Sequence, residues 1–252
     1  MKFGLRRVVP LGRLHWSALR LNYGMWTAGL PPPTSVDYLT ALPDWLGMMG
    51  NNTVGDCFDA AMYHGDQVLT QFAQGACVTQ DDQYVVDLYS EITGYAGTPE
   101  TDKGSDPYQS FTWVENNGLP RADGTAVKLI AAIEIDPRQP SDVMEAMAAC
   151  GGLMVGFNVP SSLEQNMGAL VWDYDPSNAQ IVGGHEIFVA KHLSPSANFG
   201  LISWGQKNFE MTPNFWAAYV NQVTACVWSD WLESTGLTPF GMTETQLVAE
   251  MQ

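Results

Sequence analysis

In this 252-residue chain the stretch Met49–Gly65, MGNNTVGDCFDAAMYHG, carries the side chains best suited to chemistry. Its centre is Gly55-Asp56-Cys57, and a segment of helical character follows, with Ala60, Ala61, Met62 and Tyr63 extended by Leu69 and Phe72. Asp56 is placed to cap that helix, which sets Cys57 in its first turn. A thiol there meets the positive end of the macrodipole and unpaired backbone N–H groups, and both favour the thiolate, the nucleophilic form. The competing reading is an inert core cysteine, the commoner fate of this residue type. His64 lies two turns along the same face, but seven residues are ~10 Å of rise, too far for direct contact, so its expected role is structural. His185 opens an apolar run, Gly183–Ala190, that reads as a strand.

No metal or cofactor chemistry is indicated. Cys57, Cys77, Cys150 and Cys226 show no CxxC spacing, the four His are scattered, and HExxH is absent. Glu100, Asp102 and Asp106 lack the ligand spacing of a calcium loop and read as a solvated loop. A disulfide framework is not expected at this size.

Apolar residues make up 46% of the chain and charged residues 15%, a globular composition large enough for one domain or two packed lobes. No apolar run approaches the ~20 residues that span a bilayer, and no signal peptide is read, so no membrane role is expected. Five of the eleven basic residues (Lys2, Arg6, Arg7, Arg13 and Arg20) precede the first acid, Asp37. The first 36 residues thus carry +5 and the rest, six basic against 27 acidic, carries −21. A body of that sign repels phosphate, which argues against nucleic acid as a partner. The basic arm is expected to be tied down on an acidic partner or on the acidic body of another copy.

The elements that must position Cys57 follow in order. Residues 1–33 form an extended arm closed by Pro31-Pro32-Pro33, residues 34–232 the body, and residues 233–252 a tail with a weak amphipathic helix over 244–251. Helices are predicted over 56–74, 79–93, 108–116, 142–150 (capped by Ser141) and 214–222, the last opened by Thr212-Pro213. Strands are predicted over 126–135, 153–159, 183–190 and 199–204, the last two as a hairpin, with a final apolar segment over 225–231.

A helix led by Gly-x-Cys, then strands carrying Gly-Gly-His and Ser-Trp-Gly, resembles the papain-like cysteine peptidases. Cys57 precedes His185 by 128 residues, close to that family's separation. Gly55 matches the glycine two before the nucleophile, and Phe58 replaces the usual Trp. Asn51, six residues before Cys57, holds the place of the oxyanion-hole Gln. Gly47–Cys57, Thr93-Gly94-Tyr95, Thr101–Gly104, Gly183–His185, Trp204-Gly205 and Met211–Tyr219 further resemble uncharacterised papain-like proteins of bacteriophages and prophages. The resemblance implies an α+β, two-lobed fold, with the Cys helix in a helical lobe and the His strand in an antiparallel β lobe. It also implies Cys57 as nucleophile, His185 as base and Asn51 as oxyanion donor beside the Cys57 amide. One place departs: the orienting Asn before Ser-Trp-Gly is Ile202, which cannot accept a hydrogen bond, and Gln206 or Asp56 are the available substitutes. Trp204 is read as core or as a shield over the dyad, and Glu186 should face away from His185.

Two readings stand. In one, the chain is a phage virion component, assembled in the host cytoplasm, with a degenerate site and contacts to other virion proteins or copies of itself through the arm. In the other, it is an active cysteine peptidase or amidase using Cys57 and His185.

Overall fold

A computed structural model describes residues 3–5 and 34–232, together with positions 236, 243 and 245. The rest of the arm and nearly all of the tail, with its expected helix at 244–251, lie outside the described residues.

After a two-residue strand β1 (Val36–Asp37) comes α1 (Cys57–Gln74), the predicted Cys helix. Cys57 to Thr70 are buried on every side, the mark of a helix enclosed by other layers rather than lying on a surface. Gly65 lets it approach the sheet, because a Cβ there would stand 2.9 Å from the Phe188 ring. Gly75 closes the helix at φ 74°. Next are α2 (Asp82–Thr93), α3 (Pro107–Asn117) and the strands β2 (Leu119–Pro120), β3 (Ala126–Val127) and β4 (Leu129–Glu134). α4 (Pro140–Cys150), β5 (Leu153–Pro160), α5 (Ser161–Gln165), β6 (Val171–Trp172) and β7 (Ile181–His192) follow. The described body ends with β8 (Phe199–Ser203), β9 (Gln206–Met211), α6 (Pro213–Tyr219), β10 (Val220–Trp228) and α7 (Ser229–Leu232). No helix among the described residues is long and apolar enough to cross a membrane.

One sheet orders its strands β4-β10-β5-β7-β8-β9-β6, with β1 added on β7, and separates two cores. Alternation along each strand decides which core a residue joins. Met154, Phe188, Ala132 and Cys226 face α1 and its neighbouring helices. Val155, Phe157, Ile187, Val189, Val223 and Ala225 face the interior of the curled sheet, with α4 and α6. The result is the predicted α+β, two-lobed arrangement.

Several boundaries differ from the expectations. The second helix starts at Asp82, three residues late. Pro140, not Ser141, opens α4, because its missing N–H and fixed φ suit the first helical position. The strand expected over 126–135 is two, parted at Lys128, whose N–H turns to Ser229 Oγ at 3.1 Å. The helix at 214–222 stops at Tyr219, and β-branched Val220 already belongs to β10, which takes up most of the expected 225–231 segment. β9 was not anticipated, since Gln206-Lys207-Asn208 hides its alternation.

Candidate active site

Cys57 is the first residue of α1, and by helix geometry its amide has no partner within the helix. Asp56 occupies the N-cap position without making the expected cap. Its Oδ1 accepts instead from Asn51 Nδ2 at 3.2 Å, and its Oδ2 is buried without a partner. Desolvation and the neighbouring Asp59 charge push the Asp56 carboxyl well above the usual range. Among the described residues neither Asp56 nor Gln206 hydrogen-bonds the imidazole of His185, and one Asn51 N–H is engaged with Asp56.

Burial opposes the expected thiolate. Cys57 is 1% exposed, and desolvation drives its thiol strongly upward. The main-chain N–H groups of Glu186 and Gly4 act in the other direction, so the sulfur lies within reach of the residue that follows His185. Two backbone donors do not match the lost hydration, and the resting group is the neutral thiol.

His185, also 1% exposed, sits on β7 opposite Phe157 of β5. Its Nε2 lies 3.0 Å from Ser203 Oγ, while Nδ1 is buried with no partner. Ser203 is therefore the hydrogen-bond partner of the imidazole that the sequence, with Ile202 in the expected place, did not disclose. Its signal was available: it is the Ser of Ser-Trp-Gly. Desolvation lowers the imidazole to about 3, so the ring is neutral at neutral pH. Trp204 stacks on it with centroids 4.9 Å apart and planes 21° from parallel, acting as a shield as well as core. That stacking is set by a tight turn between Ser203 and Gln206, in which Trp204 takes φ 48° and Gly205 φ 74°. A bulky residue at positive φ is strained, and here the Trp204 ring is packed beneath the imidazole.

Residues 3–5 lie across this site. The Gly4 backbone passes so close to Gly55 and Gly104 that a Cβ on Gly4 would fall 2.0 Å from the Gly55 carbonyl oxygen. Leu5 N–H donates to the Gly184 carbonyl at 3.1 Å, and Gly4 accepts from Ser105 N–H at 2.8 Å. Phe3 meets the His185 ring edge-on at 5.6 Å. The start of the arm is thus tied to its own body.

Other residues fall as follows. His64 is structural as expected: Nδ1 pairs with Gln67 Oε1 at 2.9 Å, and Gln67 bonds Leu46 O and Thr79 Oγ1. The 100–106 loop is not simply solvated. Asp102 accepts from the Gly55 N–H at 3.0 Å and from Tyr89 OH at 2.8 Å, and Asp106 caps α3. Among the described residues no group of three or more His, Cys, Asp or Glu side chains could hold a metal. Glu186 faces away from His185 as expected, yet that face is the one packed against α1.

No family model matches the chain, and no curated protein matches it in sequence. Solved structures do match its fold. Xylellain, a cysteine protease from Xylella fastidiosa, aligns at TM-score 0.61 and 12% identity over 90% of this chain and 98% of its own. Digestive procathepsin L 3 from the larval midgut of Tenebrio molitor aligns at 0.54 and 13% over 86% and 76%. Procathepsin L2 from the same source aligns at 0.56 and 14% over 82% and 71%. With the Cys helix, the His strand and these alignments in agreement, the chain has the papain-like cysteine-protease fold.

Proposed function

We propose that this chain is a cysteine hydrolase of peptide or amide bonds, held closed by residues 3–5. The observation that carries the reading is the division of labour on His185: Nε2 is held by Ser203, and buried Nδ1, which in this closed form makes no hydrogen bond to Cys57 Sγ, is left with its lone pair unused. In the reaction Nδ1 takes the Cys57 proton, the sulfur bonds the carbonyl carbon, and the imidazolium returns the proton to the departing amine. Water, deprotonated by the same nitrogen, then cleaves the thioester and restores the thiol. The Cys57 amide and the second N–H of Asn51 receive the oxyanion. The Gly4 main chain now engages the Cys57 sulfur, so the closed form is inactive until the segment leaves.

The test is labelling with an epoxide-type thiol reagent at neutral pH, in the wild type and in Gly4→Ala, whose new Cβ cannot share space with Gly55. Cys57 should react selectively in Gly4→Ala, ahead of partly buried Cys77 and of buried Cys150 and Cys226, and His185→Ala should abolish the reaction. Labelling of Cys77 alone in Gly4→Ala would overturn the proposal.

A second reading is favoured by the same burial: the site is vestigial, and the fold serves as a module of a phage virion, as the phage-like motifs suggest. It expects an inert Cys57 in both proteins, with the arm engaging virion proteins or other copies.

A further inference from the structure

Next to the candidate nucleophile, one rung of the sheet places Glu186, Gly156 and Gln222 side by side, on β7, β5 and β10. The glycine in the middle leaves a pit. A Cβ on Gly156 would stand 2.8 Å from Glu186 Oε2, 3.3 Å from Gln222 Cβ and 3.2 Å from Leu5 Cδ2. Leu5 therefore fills a pit whose walls are polar. Both Glu186 oxygens and both polar atoms of the Gln222 amide are buried without a partner, as is Thr224 Oγ1 two residues further along β10. Glu186 is 2% exposed and Gln222 1%. Leaving so many polar groups unpaired beneath a leucine is costly, since each buried unsatisfied group costs roughly 1–3 kcal/mol. The pit is built for something other than an isobutyl group.

The backbone of residues 4–5 already shows how an extended peptide is held here, through the Gly184 carbonyl and the Ser105 N–H. We propose that the Glu186–Gln222 pit is a specificity pocket for a lysine or arginine side chain of a peptide bound along this line, with Leu5 as its present occupant. A cation supplies the donors that the Glu186 carboxylate and the Gln222 amide oxygen lack, and the body, carrying −18 over residues 34–232, attracts such peptides. This inference rests on the hydrolase reading for turnover, but the pocket's chemistry can be tested without it.

Two experiments on the full chain separate them. In Gly4→Ala, peptides with Arg or Lys at the position matching Leu5 should be cleaved at least about tenfold faster than those with Leu, and Glu186→Gln should erase the preference. Faster cleavage of the Leu peptides overturns the pocket and leaves the hydrolase standing. The second experiment reads thermal unfolding of Leu5→Lys, Glu186→Gln and the double variant. Leu5→Lys should lower Tm by at least about 4 °C more in the Glu186→Gln protein than in the wild type. If no peptide is cleaved and Cys57 does not label, the hydrolase reading fails, and this coupling alone decides: its presence supports the cation pocket, and its absence overturns it.

Discussion

The hydroxyl of Ser203 holds Nε2 of His185, a task a side chain shorter than Asn by the amide carbon performs because the following turn bends Trp204 under the ring. A single neutral hydrogen bond contributes about 1 kcal/mol, so Ser203→Ala in the Gly4→Ala background should slow Cys57 labelling roughly fivefold. Ser203→Thr, which keeps the hydroxyl, should restore the rate. A rate indifferent to both changes would remove Ser203 from the site. Asp59 offers a test by pH. It accepts from Ser105 Oγ at 3.0 Å, and desolvation raises it from 3.8 to about 7. A raised acid stabilises the fold fully below its unfolded value, and that contribution is lost as pH climbs from about 3.8 to about 7. Asp59→Asn keeps the neutral shape. Its Tm advantage over the wild type should widen across that window and stay constant above it, and a gap that narrows would contradict the assignment.

At the scale of elements, α1 is fixed at its start and just past its midpoint. Its start abuts β7, and its second half is anchored by Asp66, which takes both 3.0 and 2.6 Å bonds from Arg121, itself also bonded to Asp230 of α7 at 3.0 Å. Asp66 is 1% exposed, and removing one partner of a buried pair costs about 3–5 kcal/mol, so Arg121→Ala should destabilise by that order in urea unfolding. A loss under about 1 kcal/mol would show that the pair is idle. This tether was invisible in the sequence, where Arg121 is a lone cation with nothing nearby to name its partner. What was legible were segments whose period is unambiguous: α1, β5 and the heart of β7. Cys57 and His185 were legible because residue type and motif coincide. Ser203 is not legible because the family's orienting position is the one that Ile202 fills, and β9 is not because its first residues are polar on both faces. Closure of the site by Gly4 was out of reach, since it needs Gly4, Gly55 and Gly104 to stack their backbones, and no local pattern records an approach between residues that distant in the chain.

For the whole molecule, charge and closure are linked. The residues that cross the site are flanked in sequence by Lys2, Arg6 and Arg7, within a stretch carrying +5, and they rest on a body, residues 34–232, carrying −18. Opposite charges held together at a surface weaken as salt rises, because the screening length falls from ~10 Å at 0.1 M to ~3 Å at 1 M. The glycine stacking and the Leu5 contact are not screened, so salt should loosen the segment without releasing it fully. Cys57 labelling in the wild type is thus expected to accelerate as sodium chloride rises, with the fold unchanged by circular dichroism. In Gly4→Ala, where sterics have already displaced the segment, the salt dependence should disappear. Replacing Arg6 and Arg7 by Gln should give a wild-type site that labels at low salt as the native chain does at high salt. If labelling ignores salt in every variant, closure depends on packing alone, and the charge asymmetry of the chain belongs to a partner rather than to its own site.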